Sequence, residues 1–186
     1  MFTKTDDGVS YMSSPAGYTV RYATWIKLKD KKTNKEFFVI NTHTPPGVEK
    51  GSGWSARTSM TSAYKTHLKN LAHLVANKKA TGLPVFVTGD FNVDYRNDGK
   101  DCKIANWACR MLGKPYGIYP AWHYTDLAGV NKSQGTFRDG DRLIDYVMFP
   151  TRNDIKVKST KVLGGNGNGW SGSDHKPSIA TAAFAQ

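Results

Sequence analysis

The sequence lacks several features that would place it in a special structural class. Only two of its 186 residues are cysteines, too few for the disulfide framework of a small secreted domain. No apolar run approaches the roughly 18 residues of a membrane-spanning helix. The first residues, MFTKTDDGVSYMSSPAG, are polar and show no secretory signal. With no repeat or linker in view, the sequence predicts one globular domain over residues 1–186, and it leaves the cellular compartment open.

Acidic residues are scarce as well. There are 15 Asp and Glu residues against 26 Lys and Arg residues, which gives a net charge of +11. Such an excess favours a polyanionic partner, most simply nucleic acid. On charge alone, a basic protein that binds acidic molecules loosely is an equally good reading, so a nucleic-acid partner needs support from a site.

The two cysteines, Cys102 and Cys109, lie in the segment DCKIANWACRMLG, which has the pattern of a helix. Their separation along a helix would be about 10 Å, whereas the Cα atoms of a disulfide lie within about 7 Å. We therefore expect both thiols to be reduced.

Hydrophobic periodicity predicts an α/β layered sandwich. The alternating or apolar segments predict six strands, at 19–28, 36–42, 85–88, 143–149, 155–163 and 178–184. The first two are expected to form an antiparallel hairpin. Helical spacing of apolar residues predicts a helix over 55–77, with a second around Cys102. Residues 113–141 are expected to be mostly loop, and 164–172 a flexible loop.

Polar residues of the types used in catalysis occur at the ends or beginnings of four predicted strands: His43, Asp90 with Asn92, Asp145, and Asp174 with His175. Asp90 and Asn92 are two residues apart, which on a strand keeps both side chains on one face. A carboxylate beside a carboxamide suits a hard divalent cation. The alternative is an Asx turn that caps the strand, because Asp and Asn readily bond to nearby backbone.

Asp145 interrupts the apolar segment LIDYVMF, where a carboxylate is costly unless it has a partner. An imidazolium would be a suitable partner, and an Asp145–His175 pair would orient the ring for proton transfer. A chance neighbour pair in a loop is the alternative for Asp174 and His175. His67 and His73 lie on the long predicted helix and are expected to be surface or packing residues.

Four segments together resemble the endonuclease/exonuclease/phosphatase superfamily, which includes deoxyribonuclease I, AP endonucleases and neutral sphingomyelinases. They are INTHT (40–44), VTGDFN (87–92), RLIDYVMF (142–149) and SDHKP (173–177), and their order matches that family over residues 19–184. The resemblance implies two packed β-sheets with flanking helices, and metal-dependent hydrolysis of phosphodiesters.

The resemblance also implies roles for individual residues. It makes Asp90, Asn92 and Asp174 the metal ligands, with Mg²⁺ as the ion and Mn²⁺ or Ca²⁺ as alternatives. It makes His175 the group that acts on the attacking water or the phosphate, with Asp145 as its orienting carboxylate. The phosphate would be bound by Arg21, His43 and Asn92, and the implied catalytic residues are His43, Asp90, Asn92, Asp145 and His175.

The sequence departs from the family in its first part. The family begins with a strand that ends in Asn, followed by a strand with a metal-binding Glu, and nothing before Thr19 fits. The two glutamates here, Glu36 and Glu49, lie elsewhere. The chain is therefore expected to match the C-terminal two-thirds of the family domain and to lack its N-terminal strands. It would be a fragment, a reduced version that does not catalyse, or a chain completed by another chain or a dimer mate.

Three functions follow from these observations. The first is a Mg²⁺-dependent nuclease that hydrolyses DNA. The second is a non-catalytic relative that only binds nucleic acid, a reading that the missing Glu favours. The third is a phosphatase or sphingomyelinase-type enzyme, which His43 permits.

Overall fold

The larger of two β-sheets organises the protein. The computed structural model describes residues 1–15, 17–48, 58–95, 108–124, 135–137, 142–163 and 173–185. Six strands form this sheet, in the order β1-β2-β3-β4-β6-β5. They are β1 (Phe2–Ser13), β2 (Arg21–Asp30), β3 (Glu36–His43), β4 (Val85–Asp90), β5 (Ile118–Pro120) and β6 (Asp145–Pro150). The pair β3–β4 is parallel, and the other neighbours are antiparallel.

Helix α1 (Thr58–Lys79) covers one face of this sheet. It connects the parallel strands β3 and β4, as a parallel pair requires a crossover. Its predicted apolar stripe is confirmed, since all five of its members are at most 2% exposed: Met60, Tyr64, Leu68, Leu71 and Val75. They pack in the main hydrophobic cluster with side chains from the sheet, among them Ala23, Phe38, Ile40, Val85 and Val87.

The opposite face of the six-stranded sheet packs against a two-stranded antiparallel sheet, β7 (Ile155–Val162) and β8 (Ser178–Phe184). Aromatic side chains fill much of this interface, with the Phe37 ring 5.4 Å from the Phe86 ring and 5.9 Å from the Phe184 ring. A small apolar cavity of about 210 Å³ remains between the two sheets. Two packed sheets with helices confirm the predicted α/β sandwich.

The predicted count of six strands was wrong, since the described residues contain eight. β1 was missed because it is an edge strand with most of its residues exposed, so it has little hydrophobic alternation. β5 lies within 113–141, which was expected to be mostly loop. The same region contains a helical turn at Lys114–Tyr116 and another at Ala121–Tyr124. These elements are too short for periodicity to reveal.

The remaining boundaries agree to within a few residues. β6 begins at Asp145 rather than two residues earlier, so Asp145 lies at the start of the strand and not within it. The predicted hairpin is confirmed as β2–β3. A π-helical turn lies at Cys109–Gly113, and most of the rest of the predicted second helix lies outside the described residues. Cys102, Glu49 and the predicted loop 164–172 lie outside the described residues.

Within the described ranges, no helix combines the length and the apolar character that crossing a membrane requires.

Candidate active site

Three neighbouring strands bring candidate residues to one edge of the large sheet. β3 and β4 are parallel, so their carboxyl ends lie side by side, and β6 begins at the same edge because it runs antiparallel to β4. The strand register pairs His43 with Asp90 and Asp90 with Asp145, which places the three residues in one row. They line an open cavity of about 540 Å³ on the face opposite α1, and His175 borders the same cavity.

His175 contacts two carboxylates of this row. Its Nδ1 atom lies 2.8 Å from Asp145 Oδ2, a hydrogen bond, and its Nε2 atom lies 3.9 Å from Asp90 Oδ2. The ring also packs edge-on against Phe137, with 5.0 Å between centroids. When Nδ1–H donates to Asp145, the Nε2 lone pair faces the cavity, which is the arrangement that a general base needs.

Burial and charge perturb both acid–base groups at the centre of the site. Burial and the nearby charge of Asp145 raise the pKa of Asp90 to about 6, although its hydrogen bond from the Asn92 backbone acts in the other direction. Burial by itself would lower the pKa of His175. The hydrogen bond and the negative charge of Asp145 outweigh it and raise that pKa. The neighbouring carboxylates of Asp90 and Asp145 repel each other unless a cation neutralises their charge.

His43 places an imidazole beside the carboxylates, and the charge of Arg21 acts on His43 from the start of β2. His43 Nε2 lies 3.3 Å from Asp90 Oδ2, and 54% of its side chain is exposed. Partial burial, together with the charges of Arg21 and His175, lowers the pKa of His43. The Nε atom of Arg21 is buried and has no hydrogen-bond partner among the described residues. The predicted role of these two residues in binding phosphate stays a prediction.

The turn after β4 determines where Asn92 lies. The strand ends at Asp90, and Asn92 adopts a left-handed conformation with φ of 52°. The expectation that both side chains share a strand face was therefore wrong, and the alternative Asx turn is present: Asn92 N–H donates to Asp90 Oδ1 at 2.7 Å. The Asn92 side chain is buried and donates to the Thr44 carbonyl at 3.0 Å. Direct contact of Asn92 with metal or phosphate stays a prediction.

A divalent cation fits the carboxylates of the site. One ligand atom each from Asp90, Asp145 and His175 lies within 4.8 Å of the others. Burial and the charge of Asp145 raise the pKa of Asp90, and a hard cation bound beside the two carboxylates would oppose both effects. Asp174 is 65% exposed, and its Oδ1 atom lies 4.0 Å from His175 Nε2. The structure thus brings Asp174 to the edge of the site, and its role as a ligand stays a prediction.

Sequence reasoning missed Thr136, which holds Asp145 in place. Thr136 is fully buried, and its Oγ1 atom accepts hydrogen bonds from the backbone N–H groups of Ile144 and Asp145, at 3.1 and 3.0 Å. The segment also hydrogen-bonds to the residue after His175, because Lys176 N–H donates to the Thr136 carbonyl. A lone Thr within an apparent loop carries no sequence signal of such a role.

His67 is a second structural residue whose environment only the structure reveals. It was expected to be a surface or packing residue, and it is fully buried on α1. Its Nε2 atom lies 2.7 Å from Thr42 Oγ1, and its Nδ1 atom lies 3.4 Å from Ser13 Oγ. Burial, with the charges of Arg21 and His43, lowers the pKa of His67 to about 3. His67 is therefore a neutral residue that connects α1 to β1 and to the end of β3.

Comparison with known proteins finds similarity at the level of structure. No protein-family model and no curated protein matches the chain. A crystal structure of an endonuclease/exonuclease/phosphatase family protein from Bacteroides thetaiotaomicron matches it with a TM-score of 0.67 and 21% identity, over 100% of this chain and 66% of that one. A mannosyl-6-phosphatase from the same organism gives a TM-score of 0.66 and 21% identity, over 98% and 67%.

A third similar structure is TDP2 from D. rerio in complex with a single-strand DNA product. It matches with a TM-score of 0.61 and 13% identity, over 98% of this chain and 69% of that one. The chain thus spans about two thirds of the length of these three solved structures, as its sequence predicted. At these identities the similarity establishes the fold. The chain therefore has the fold of these endonuclease/exonuclease/phosphatase structures, over about two thirds of their length.

Proposed function

We propose that this chain carries the phosphoryl-binding and proton-transfer site of a divalent-metal-dependent phosphodiesterase, and that its substrate is DNA. The observation that carries the proposal is the cluster of Asp90, Asp145 and His175 at the edge of the sheet. A structural role alone would not require two carboxylates and an imidazole around an open cavity. The fold is shared with a mannosyl-6-phosphatase and with a protein that was solved with a single-strand DNA product, which supports a phosphoesterase class without choosing the substrate.

The chain's own residues account for the proton transfer from the attacking water. His175, held through Nδ1 by Asp145, accepts a proton at Nε2 from the attacking water. The water oxygen forms a bond to phosphorus, the P–O ester bond breaks, and the leaving oxygen takes a proton from solvent. His43 and Arg21 bind the phosphate oxygens on which negative charge develops. A cation held by Asp90, with Asn92 and Asp174 as the further predicted ligands, would neutralise that charge when bound.

The net charge of +11 supports a nucleic-acid substrate. Contacts between basic side chains and phosphates release counterions, so binding should weaken steeply as salt rises. The structure of a similar protein with a single-strand DNA product is consistent with this choice. Completion of the sheet by another chain or a dimer mate, as the sequence suggested, stays a prediction.

The test is cleavage of supercoiled plasmid by the purified chain. We expect nicking with Mg²⁺, none with EDTA, and none with His175→Ala. His73→Ala, which alters an exposed histidine on α1 away from the cavity, is the matched control and should nick as the wild type does. Nicking by His175→Ala at the wild-type rate would refute the role of His175.

The alternative functions give different results in the same assay. A non-catalytic relative would retain DNA in a gel-shift experiment and cleave it with no divalent metal. A phosphatase or sphingomyelinase-type enzyme would hydrolyse a sugar phosphate or sphingomyelin in a parallel reaction and leave the plasmid intact. Either outcome would replace the nuclease proposal.

A further inference from the structure

Strand β7 carries three lysines on the outer face of the small sheet, the face that points away from the large sheet. They are Lys156, Lys158 and Lys161, and all three are exposed. Residues of the same strand that point inward are half-buried or buried, as in Val157 and Thr160. The three ammonium groups therefore form one row along the strand, which we call the β7 lysine row.

A β-bulge is what puts the third lysine on this face. Lys156 and Lys158 are two residues apart, whereas Lys161 follows Lys158 by three, so strict alternation would turn Lys161 inward. The register with β8 shifts between Val157 and Ser159, which leaves Lys158 as the extra residue. Lys158 and Ser159 are both exposed as a result, and Lys161 returns to the outer face.

No acidic side chain of the small sheet opposes this positive charge. β7 reads IKVKSTKV and β8 reads SIATAAF, so the two strands contribute three positive charges and no negative one. Asp154, which precedes β7, accepts two hydrogen bonds from Arg152, at 2.8 and 3.1 Å. Within the described ranges, none of the three lysines forms an ion pair. The row is thus available to an anionic partner.

The composition of the outer face is that of a surface in contact with water. The large sheet carries apolar side chains where α1 covers it, among them Ala23, Phe38 and Ile40. The outer face of the small sheet carries lysines and hydroxyl groups beside Ile179, which is 36% exposed. Burial of three unpaired ammonium groups under an apolar segment would be costly. The charge therefore favours an anion over a packed helix or strand as the occupant.

We propose that the β7 lysine row binds the sugar–phosphate backbone of duplex DNA outside the active site. The row begins beside the cavity, because Lys161 pairs with Ile179 and the adjoining Ser178 lines the cavity wall. From Lys161 to Lys156 it extends about 17 Å, at about 3.4 Å per residue. About five phosphates of one DNA strand occupy that length. The inference rests on the proposed DNA substrate and adds a second contact surface for the same duplex.

Lysines on an edge strand have another use, since they discourage pairing with other chains. Among the described residues β7 pairs with β8 alone, so it is an edge strand. Protection of an edge requires only a charge there. Binding of DNA requires that these lysines contact phosphates and release counterions, which makes the affinity depend on salt. The salt dependence of DNA binding therefore separates the two roles.

The test measures the affinity for a labelled duplex of about 24 base pairs by fluorescence anisotropy, in EDTA, over roughly 50–200 mM salt. Each phosphate contact contributes about 0.9 to the slope of log affinity against log salt. Lys158→Gln/Lys161→Gln should therefore lower the slope by about 1.8. The matched control, Lys65→Gln/Lys69→Gln, removes the same charge from exposed positions on α1, on the side of the large sheet away from the cavity. It should keep the wild-type slope.

Circular dichroism checks that each variant is folded. Lys161→Gln by itself, with an expected decrease of about 0.9, is the second test if the double variant does not fold. Equal slopes in the two double variants overturn the inference, and self-association of the β7 variant with an unchanged slope assigns its lysines to edge protection. Loss of binding to phosphatidylserine vesicles with unchanged duplex binding also overturns the inference and identifies a lipid surface as the partner.

The same measurements separate this inference from the proposed function. A lower slope in the β7 variant, without plasmid cleavage by the wild type, would leave the β7 lysine row standing as a DNA-binding surface and refute the nuclease proposal. Plasmid cleavage with equal slopes in the two double variants would do the reverse.

Discussion

Replacement of Gly89 by alanine tests whether the close approach of β3 and β4 builds the site. Gly89 adopts φ of 145°, and a Cβ atom placed there would lie 1.8 Å from the Thr42 carbonyl oxygen. Contacts under 3.0 Å essentially never occur, so the two strands would have to separate by roughly 1 Å. The contact involves backbone, so no side chain can rotate away to relieve it.

The expected loss of stability in Gly89→Ala has two parts. Overpacking of this kind costs about 1–3 kcal/mol, and a side chain at a backbone conformation that only glycine readily adopts costs about 1–3 kcal/mol. Gly82→Ala is the matched control, because Gly82 also has a positive φ, 79°, and nothing lies within 4 Å of its would-be Cβ. We expect Gly89→Ala to lower the free energy of unfolding by about 2 kcal/mol more than Gly82→Ala does.

Urea denaturation of both variants measures this difference, which corresponds to roughly 4–8 °C in Tm for a chain of this size. The register places His43 opposite Asp90 immediately beside the Thr42–Gly89 pair, so the same separation should also abolish plasmid cleavage. Equal destabilisation by the two substitutions would refute the reasoning, since it would show that the strands accommodate the methyl group without moving.

Two further predictions concern titration. Burial lowers the pKa of His67 to about 3 in the folded protein, against an ordinary value of 6.5, so the free energy of unfolding should decrease as pH falls below about 6.5. In His67→Gln this titration is absent, so the loss of stability between pH 7 and pH 4.5, measured by urea denaturation, should be smaller by about 2 kcal/mol. His73→Gln is the control and should keep the pH dependence of the wild type. The pKa of His175 is raised, so its pairing with Asp145 stabilises the fold below the ordinary histidine pKa, and this stabilisation is lost as pH rises through the pKa of the folded protein. NMR titration in EDTA should show that the pKa of His175 is lower in Asp145→Asn than in the wild type. An unchanged pKa of His175 would contradict the pairing.

Local sequence pattern predicted much of the architecture. The stripe on α1, the β2–β3 hairpin and the last strand follow from periodicity, which depends on residues close together in the chain. Periodicity failed at β1 because an edge strand buries few residues, and at β5 because three residues are too few to show a pattern.

In the candidate site, too, some features could be predicted from the sequence and others could not. The pairing of His175 with Asp145 could be predicted from the sequence, because a carboxylate in an apolar segment needs a partner and an imidazolium is a suitable one. The position of the Asn92 side chain could not be predicted, because it depends on where β4 ends and on the backbone conformation of the turn that follows.

The sequence by itself determined the residue types of the site, the strands that carry them and the excess of positive charge. Only the tertiary structure decided that His43, Asp90 and Asp145 lie in one row, that Thr136 anchors Asp145, and that His67 is buried beneath Thr42. The physical reason is that strand register and helix docking are set by contacts between segments distant in the chain, and local pattern carries no information about those contacts.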